Sequence, residues 1–203
     1  EIINESGENI SDTYIGHFVD FDIVSSNDDF IATDPSRSMA YAFEGFTPNA
    51  EQGFIILGAN KDANGVDDAF GIGTNESVNG FGFGDGIADN ERNGMTNAMY
   101  RNLGGGPTGS PITSADYYNP LQSKWNDGSH LMYGGNGYMS SSIESNYSFP
   151  GGDDLLFGGT GGVDPSFEWS EVGEGNPPGD RRIICSSGPF TYNLIDTLFY
   201  DIC

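Results

Sequence analysis

Glycine punctuates this chain from end to end without keeping any fixed spacing. It fills 31 of 203 positions, about twice its usual share of roughly 7%. A strict triplet period would mean a collagen-like rod, and there is none. A glycine-rich chain poor in large apolar residues would stay unfolded, but aromatic residues make up 13% here, and Ile, Val, Leu and Phe occur throughout. What fits is a set of many turns joining short, aromatic-rich strands. The length allows one substantial domain with a real core. The expectation is therefore a mainly β fold: a β-sandwich or jelly-roll-like single domain spanning residues 1–203, with long Gly-rich loops and one short helix.

Several strands are legible from their alternation. In the stretch from Thr13 to Ile23, Val19, Phe21 and Ile23 fall on one face and Asp20 and Asp22 on the other. Met39 to Phe43 alternates as well. Gly53 to Gly58 is a continuous apolar run between glycines, the pattern of a strand buried on both faces. Met95 to Tyr100 and Thr197 to Cys203 read as strands, and Arg181 to Tyr192 as strand, turn, strand. The one good helix candidate is SADYYNPLQSKWNDG, with Ser114 as cap, Asp116 in the first turn and Asp127-Gly128 as the stop. Pro120 shortens it, kinks it or starts it. Tyr117, Tyr118, Leu121 and Trp125 make its expected buried stripe.

Charge narrows the function classes. Thirty acidic side chains stand against seven basic ones, a net charge of −23. Such a chain repels a phosphate backbone, so no nucleic acid partner is expected. Self-repulsion also works against the compact state, and bound divalent cations relieve it: three Ca²⁺, at +2 each, take −23 to −17. No apolar run approaches the roughly 18 residues of a membrane helix, so no membrane span is expected. The chain opens with Glu1 rather than Met and shows no signal peptide, which leads to the expectation of a processed product or a fragment. Cys185 and Cys203 are compatible with a disulfide, with pairing to another chain, or with two free thiols.

Three acidic knots carry the chemistry. In NKDANGVDDAF, oxygen-bearing side chains recur at alternating positions: Asn60, Asp62, Asn64, then Gly65, then Asp67 and Asp68. A hard cation such as Ca²⁺ takes six to eight oxygens at roughly 2.3–2.6 Å, and a chain supplies them when every second residue turns inward about a glycine bend. A full EF-hand loop places a bidentate Glu at its twelfth position; that position is Gly71 here, so the candidate is a helix-free, EF-like turn closing on Asp68. It hangs from the apolar run at 53–58. The second knot is DGIADNE, with Asp85, Asp89 and Glu91 as candidate ligands and Asp89 as the best single one. The third gathers Asp20, Asp22 and Asp28, with Asn27, Asp29 and Asp34 nearby. Asp, Asn and Gly also favour turns for purely local reasons. The co-occurrence of three such knots is what turns the expectation towards at least one bound Ca²⁺.

Catalytic sets are missing from the sequence. G-x-S-x-G and H-E-x-x-H do not occur. His17 and His130 are the two histidines, too few for a zinc site without both. Cys185 sits in strand-like surroundings with no helix start beside it. Paired carboxylates for glycoside hydrolysis carry no signal in a chain with 30 acids. Arg181 and Arg182 are expected to anchor loop carboxylates such as Asp180 or Glu171. Tyr117, Tyr118, Trp125, Tyr133 and Tyr138 are the candidates for a sugar-stacking platform.

Longer phrases carry a resemblance. GFGDGIADNERNGM at 82–95, YYNPLQSKWNDGSHLMYGGNGY at 117–138, FPG at 149–151 and GNPPGDRRIICSSGPFTYN at 175–193, together with the opening strand and NDDFIATD, resemble an uncharacterised module of large secreted proteins of Bacteroidota. Those proteins leave the cell by the type IX route. The resemblance is collinear over most of the chain. It implies an extracellular or cell-surface, β-rich, calcium-loving domain. Two features depart from it: the chain stops at Cys203 rather than continuing towards a sorting domain, and residues 193–197 lack the expected Pro-Gly turn. Four N-x-S/T sequons, at Asn4, Asn9, Asn75 and Asn146, and the triplet Asp196-Thr197-Leu198, which resembles a Bacteroidota O-glycosylation acceptor, are the glycoprotein signals.

Two functions are then expected to compete. One is a non-enzymatic extracellular structural module, calcium-stabilised, a building block that self-associates or joins other cell-surface proteins. Strand-like segments at Ile2–Ile3 and Thr197–Cys203 would pair with a neighbour's sheet edge to build a filament. The other is a carbohydrate-binding or accessory domain of a secreted hydrolase, with polysaccharide as partner.

Overall fold

The computed structural model describes residues 1–45, 50–60, 64–73 and 75–203. Among them the strands are β1 (Ile2–Ile3), β2 (Ile10–Asp20), β3 (Asp29–Asp34), β4 (Met39–Glu44), β5 (Glu51–Gly58), β6 (Gly80–Phe81), β7 (Arg92–Asn93), β8 (Asn97–Asn102), β9 (Arg181–Tyr192), β10 (Thr197–Leu198) and β11 (Asp201–Ile202), with one short helix, α1 (Ser114–Tyr118). The fold is mainly β, as its alternating runs predict. Two antiparallel sheets dominate, ordered β11-β5-β4-β3 and β2-β9-β8. They share one core, to which the first sheet contributes Ile31, Ala40, Ala42, Phe54 and Ile56 and the second Ala98, Met99, Ile183 and Cys185. This is the layering of a β-sandwich.

The rest of the core comes from chain with little regular structure. Trp125, Phe149 and Trp169 are fully buried, and they hold residues 123–180 in place by packing and by their polar atoms. Nε1 of Trp125 donates to the Gly137 carbonyl and Nε1 of Trp169 to the Gly135 carbonyl, both at 3.0 Å. The Tyr147 hydroxyl donates to the Met95 carbonyl at 2.9 Å. Each ring thus buries a large apolar area while its one polar atom stays satisfied. The same segment closes two sheet edges. Against β8, the Ala98 N–H donates to Asn146 O and the Ser148 N–H to Ala98 O. Against β3, the Ile31 N–H donates to Oε2 of Glu171 at 2.7 Å, and Gly179 N to Asp29 O at 3.0 Å. Glu171 in turn holds Arg181 on β9 through Nε at 2.8 Å, both residues being buried, so one carboxylate ties the two sheets together.

Several details differ from the expectations. β3 is a strand without a local signature, since buried Ile31, Ala32 and Thr33 lie between two aspartates that are buried as well. Gly53 to Gly58 is buried on one face only: Phe54 and Ile56 point inward while Leu57 is half exposed. Residues 181–192 form one continuous strand instead of strand, turn, strand. β2 follows it with register shifts, and Gly188 permits the approach, since at φ +141° an added Cβ would lie 2.7 Å from the Thr13 carbonyl oxygen. The helix is a single turn and a half capped by Thr113 rather than Ser114: Thr113 and Asp116 form a reciprocal capping box. It passes into a 3-10 turn, Asn119–Gln122, that carries Pro120 in its first turn and ends on left-handed Ser123. The expected stripe does not form, because Tyr117 and Tyr118 are exposed and Trp125 lies beyond the helix.

The terminal segments pair inside the chain. β1 lies against β10, and β11 joins the edge of β5, while Phe199 and Tyr200 between them leave the ladder. Cys203 exchanges backbone hydrogen bonds with Ile55 at 2.8 and 3.0 Å. Cys185 and Cys203 are both free thiols, the first buried in the core and the second exposed. No helix among the described residues is long and apolar enough to cross a membrane.

Candidate metal centre

Two of the acidic knots come together. The short strands β6 and β7 pair as a hairpin, so residues 82–91 are its loop. β7 then docks beside the end of β5: Ala59 N donates to Asn93 O at 2.8 Å and Asn93 N to Asn60 O at 3.0 Å. That docking lays the loop leaving β5 across the hairpin loop. The crossing is stitched by backbone donors from one loop to carboxylates of the other. Gly65 N donates to Oδ1 of Asp89 at 2.7 Å, Asp68 N to Oε1 of Glu91 at 3.0 Å, and Gly86 N to Oδ2 of Asp67 at 2.7 Å. Within the loops, Asn64 Nδ2 donates to Oδ2 of Asp68 at 2.6 Å, and Asp85 accepts from Ile87 N and Asn90 Nδ2. Gly82 makes the tight hairpin possible: at φ +88° an added Cβ would sit 2.7 Å from Oδ1 of Asn90.

Five carboxylates, those of Asp67, Asp68, Asp85, Asp89 and Glu91, therefore share this crossing, and none forms an ion pair among the described residues. The neighbouring Arg92 is directed elsewhere, to Asp201 at 2.5 Å and to the carbonyls of Gly58, Ala59 and Phe199. Glu91 is fully buried. Its Oε2, Oδ1 of Asp67 and Oδ1 of Asn90 are buried oxygens with no donor. Burying an ionised oxygen without a partner is strongly unfavourable, so the Glu91 and Asp67 oxygens call for a positive charge, and the neutral amide oxygen of Asn90 is a further acceptor left open. The donor set is all oxygen, which suits Ca²⁺. As the side chains stand, no three Asp, Glu, His or Cys among the described residues come close enough to enclose an ion; an ion there would also need amide oxygens, backbone carbonyls or small side-chain movements.

The other sequence candidates fall as follows. Asp62 lies outside the described residues. Asn60 turns away from the crossing, its Oδ1 accepting from the Ser187 hydroxyl at 3.2 Å. Asp20 does not join Asp22 and Asp28, because Arg182 on β9 takes it at 3.0 Å and takes Asp180 at 2.9 Å. Asp34 caps the turn after β3 and pairs with Arg37. Arg181 and Arg182 anchor Glu171 and Asp180, as expected. Asp67 and Asn90 stand among the oxygens of the two motifs but outside the candidate ligand set; their role depends on which loop crosses which. His17 stacks on Phe54 with centroids 4.5 Å apart.

The five candidate platform aromatics do not share an exposed face, since Trp125 and Tyr133 are buried. A cleft of about 420 Å³ opens instead beside Tyr133, walled by Phe157 and Phe167 with Asp154, Ser166 and Glu168. Asp154 is already committed there, accepting from Gly158 N and Gly159 N at 2.8 Å each; burial raises its pKa.

Comparison with family models, curated proteins and solved structures finds no match to this chain.

Proposed function

We propose that the chain is a non-enzymatic, calcium-stabilised structural module that serves as a building block of an extracellular or cell-surface assembly. The observation that carries this reading is the loop crossing, in which fully buried Glu91 keeps one oxygen without a donor amid four further carboxylates. An ion at this point neutralises the crossing and locks the β6–β7 hairpin to the end of β5. The resemblance to secreted Bacteroidota modules supports the extracellular setting, where free Ca²⁺ is plentiful enough for modest affinities of about 10⁻⁴–10⁻³ M to suffice. The arginines support a structural role, because each of the five is held by carboxylates or carbonyls of its own chain.

Assembly through the chain ends takes the form of strand exchange. The β1–β10 and β11–β5 ladders are each two residues long, so passing either segment to a second copy re-forms the same few bonds. Light scattering at high protein concentration, with calcium and with EDTA, tests this. Calcium-dependent oligomers lost on deleting residues 197–203 are the expected result, and a monomer under every condition contradicts it.

The second reading is a carbohydrate-binding or accessory domain. The cleft beside Phe157 and Phe167 favours it, since aromatic walls with a carboxylate rim suit sugar rings. Titration with soluble polysaccharides, compared between the wild type and Phe167→Ala, decides for or against it.

A further inference from the structure

The end of the sandwich where β2 hands over to β3 carries a second, unrelated set of acids. Asp29, the first residue of β3, is fully buried. Neither of its carboxylate oxygens accepts a well-formed hydrogen bond; the Ile23 amide is the one backbone donor that acts on it. It lies directly opposite Glu44 in the β3–β4 ladder, and Glu44 buries an Oε2 that also lacks a donor. Asp28 beside it buries an unpartnered Oδ1, and Asp22 completes the group of charges around Asp29. No arginine or lysine pairs with any of these four among the described residues. Arg182 on β9 is held by Asp20 and Asp180.

We infer that Asp29, with Glu44, Asp28 and Asp22, forms a second divalent-cation site, of oxygens that suit Ca²⁺, that staples the two sheets at this rim. Asp29 and Glu44 offer hard, anionic oxygens from the β3–β4 ladder, and Asp22 and Asp28 lie on the adjoining loop with Ser25, Ser26 and Asn27. As the side chains stand no three of these acids enclose an ion, so hydroxyl, amide or carbonyl oxygens and small side-chain movements complete the shell of a cation that takes six to eight oxygens in flexible geometry. The position explains what an ion does. Asp22 lies two residues beyond β2 of the three-stranded sheet, whereas Asp29 and Glu44 belong to the four-stranded one. The Asp29 carbonyl receives the Gly179 N–H just ahead of β9, and the Asp28 carbonyl receives the Gly45 N–H at 2.9 Å. One ion therefore fastens three chain segments that hydrogen bonds already bring to one point. Without it, the fold encloses a carboxylate whose charged state has only the Ile23 amide to favour it and no cation beside it.

The site is separate from the loop crossing, so it stands or falls by itself. The test is native mass spectrometry and isothermal titration with calcium chloride alone, on the wild type, Asp29→Asn, Glu44→Gln and Asp89→Ala. Asp29→Asn is expected to lose one bound Ca²⁺ relative to the wild type. Glu44→Gln should weaken the same ion at least tenfold. Asp89→Ala should leave it in place and affect a different ion. Removing the buried charge should also leave Asp29→Asn at least as stable as the wild type in EDTA. If Asp29→Asn does not fold, Glu44→Gln carries the measurement. Unchanged stoichiometry and affinity in the Asp29 or Glu44 variant overturns the site. Loss of the ion in Asp89→Ala alone would leave the loop crossing as the calcium site and remove this one.

Discussion

The backbone N–H of Asp68 donates to Oε1 of Glu91 at 3.0 Å, from one loop to another across 23 residues of sequence. The bond fixes one carboxylate oxygen of a fully buried glutamate and leaves the other, Oε2, without a donor. Glu91→Gln keeps the shape and removes the charge. In EDTA the variant should melt at or above the wild-type temperature, since a buried, uncompensated charge is gone. In calcium it should melt below the wild type. Equal shifts in both buffers would mean that Glu91 only caps the Asp68 turn.

The Arg181–Glu171 pair makes an opposite prediction. It is buried, holds Ile31 of β3 as well, and needs no ion. Glu171→Ala strands a buried guanidinium and should lower stability by about 3–5 kcal/mol, by the same amount with calcium and with EDTA. Chemical denaturation in the two buffers checks this, and a calcium-dependent loss would contradict it.

Acid should stabilise the metal-free protein. Burial, reinforced by Asp28, Asp22 and Glu44 and opposed by the Ile23 amide, raises Asp29 from 3.8 to about 6. Burial also raises Asp153, Asp154 and Glu171. The folded state then holds protons that the unfolded chain has released, so stability falls as pH rises through the interval from about 4 to about 6. Asp116 and Asp127 are lowered by hydrogen bonds and pull the other way, but both are solvent-accessible. In EDTA the melting temperature should be higher at pH 5 than at pH 7.5, and Asp29→Asn should flatten the difference. A wild type whose stability rises from pH 5 to 7.5 in EDTA would contradict the burial of Asp29 as a charged group.

The two thiols should behave differently. Cys185 is buried and its burial pushes the thiol pKa up, which suppresses the reactive thiolate. Cys203 is exposed. A thiol reagent should label one cysteine in the native protein and both after denaturation. No label in either state would reveal a disulfide.

Much of the fold is written in local patterns. The alternation of Val19, Phe21 and Ile23 against Asp20 and Asp22 survives as burial even though β2 ends at Asp20. β3 has no such pattern, because Asp28, Asp29 and Asp34 surround the two apolar residues, Ile31 and Ala32, that are buried there. The continuity of β9 was also hidden, because Gly188-Pro189 reads locally as a turn while β2 and β8 hold it in a ladder. At the candidate site, the glycine-spaced oxygens of Asn64, Asp68, Asp85, Asp89 and Glu91 were legible from type and spacing. The separation of Asp20 from Asp22 and Asp28, and the turn of Asn60 towards Ser187, depend on strand partners far away in sequence. So does the pairing of Asp29 with Glu44, which exists only in the β3–β4 register.

The calcium dependence of the melting temperature tests the central claim most directly. An ion that binds only the folded state adds stability by mass action, about 2.7 kcal/mol at a hundredfold excess over its dissociation constant. The account predicts that millimolar Ca²⁺ raises the midpoint by several degrees over EDTA, that excess EDTA reverses the rise, and that Glu91→Gln diminishes it. An identical midpoint in calcium and in EDTA would contradict it.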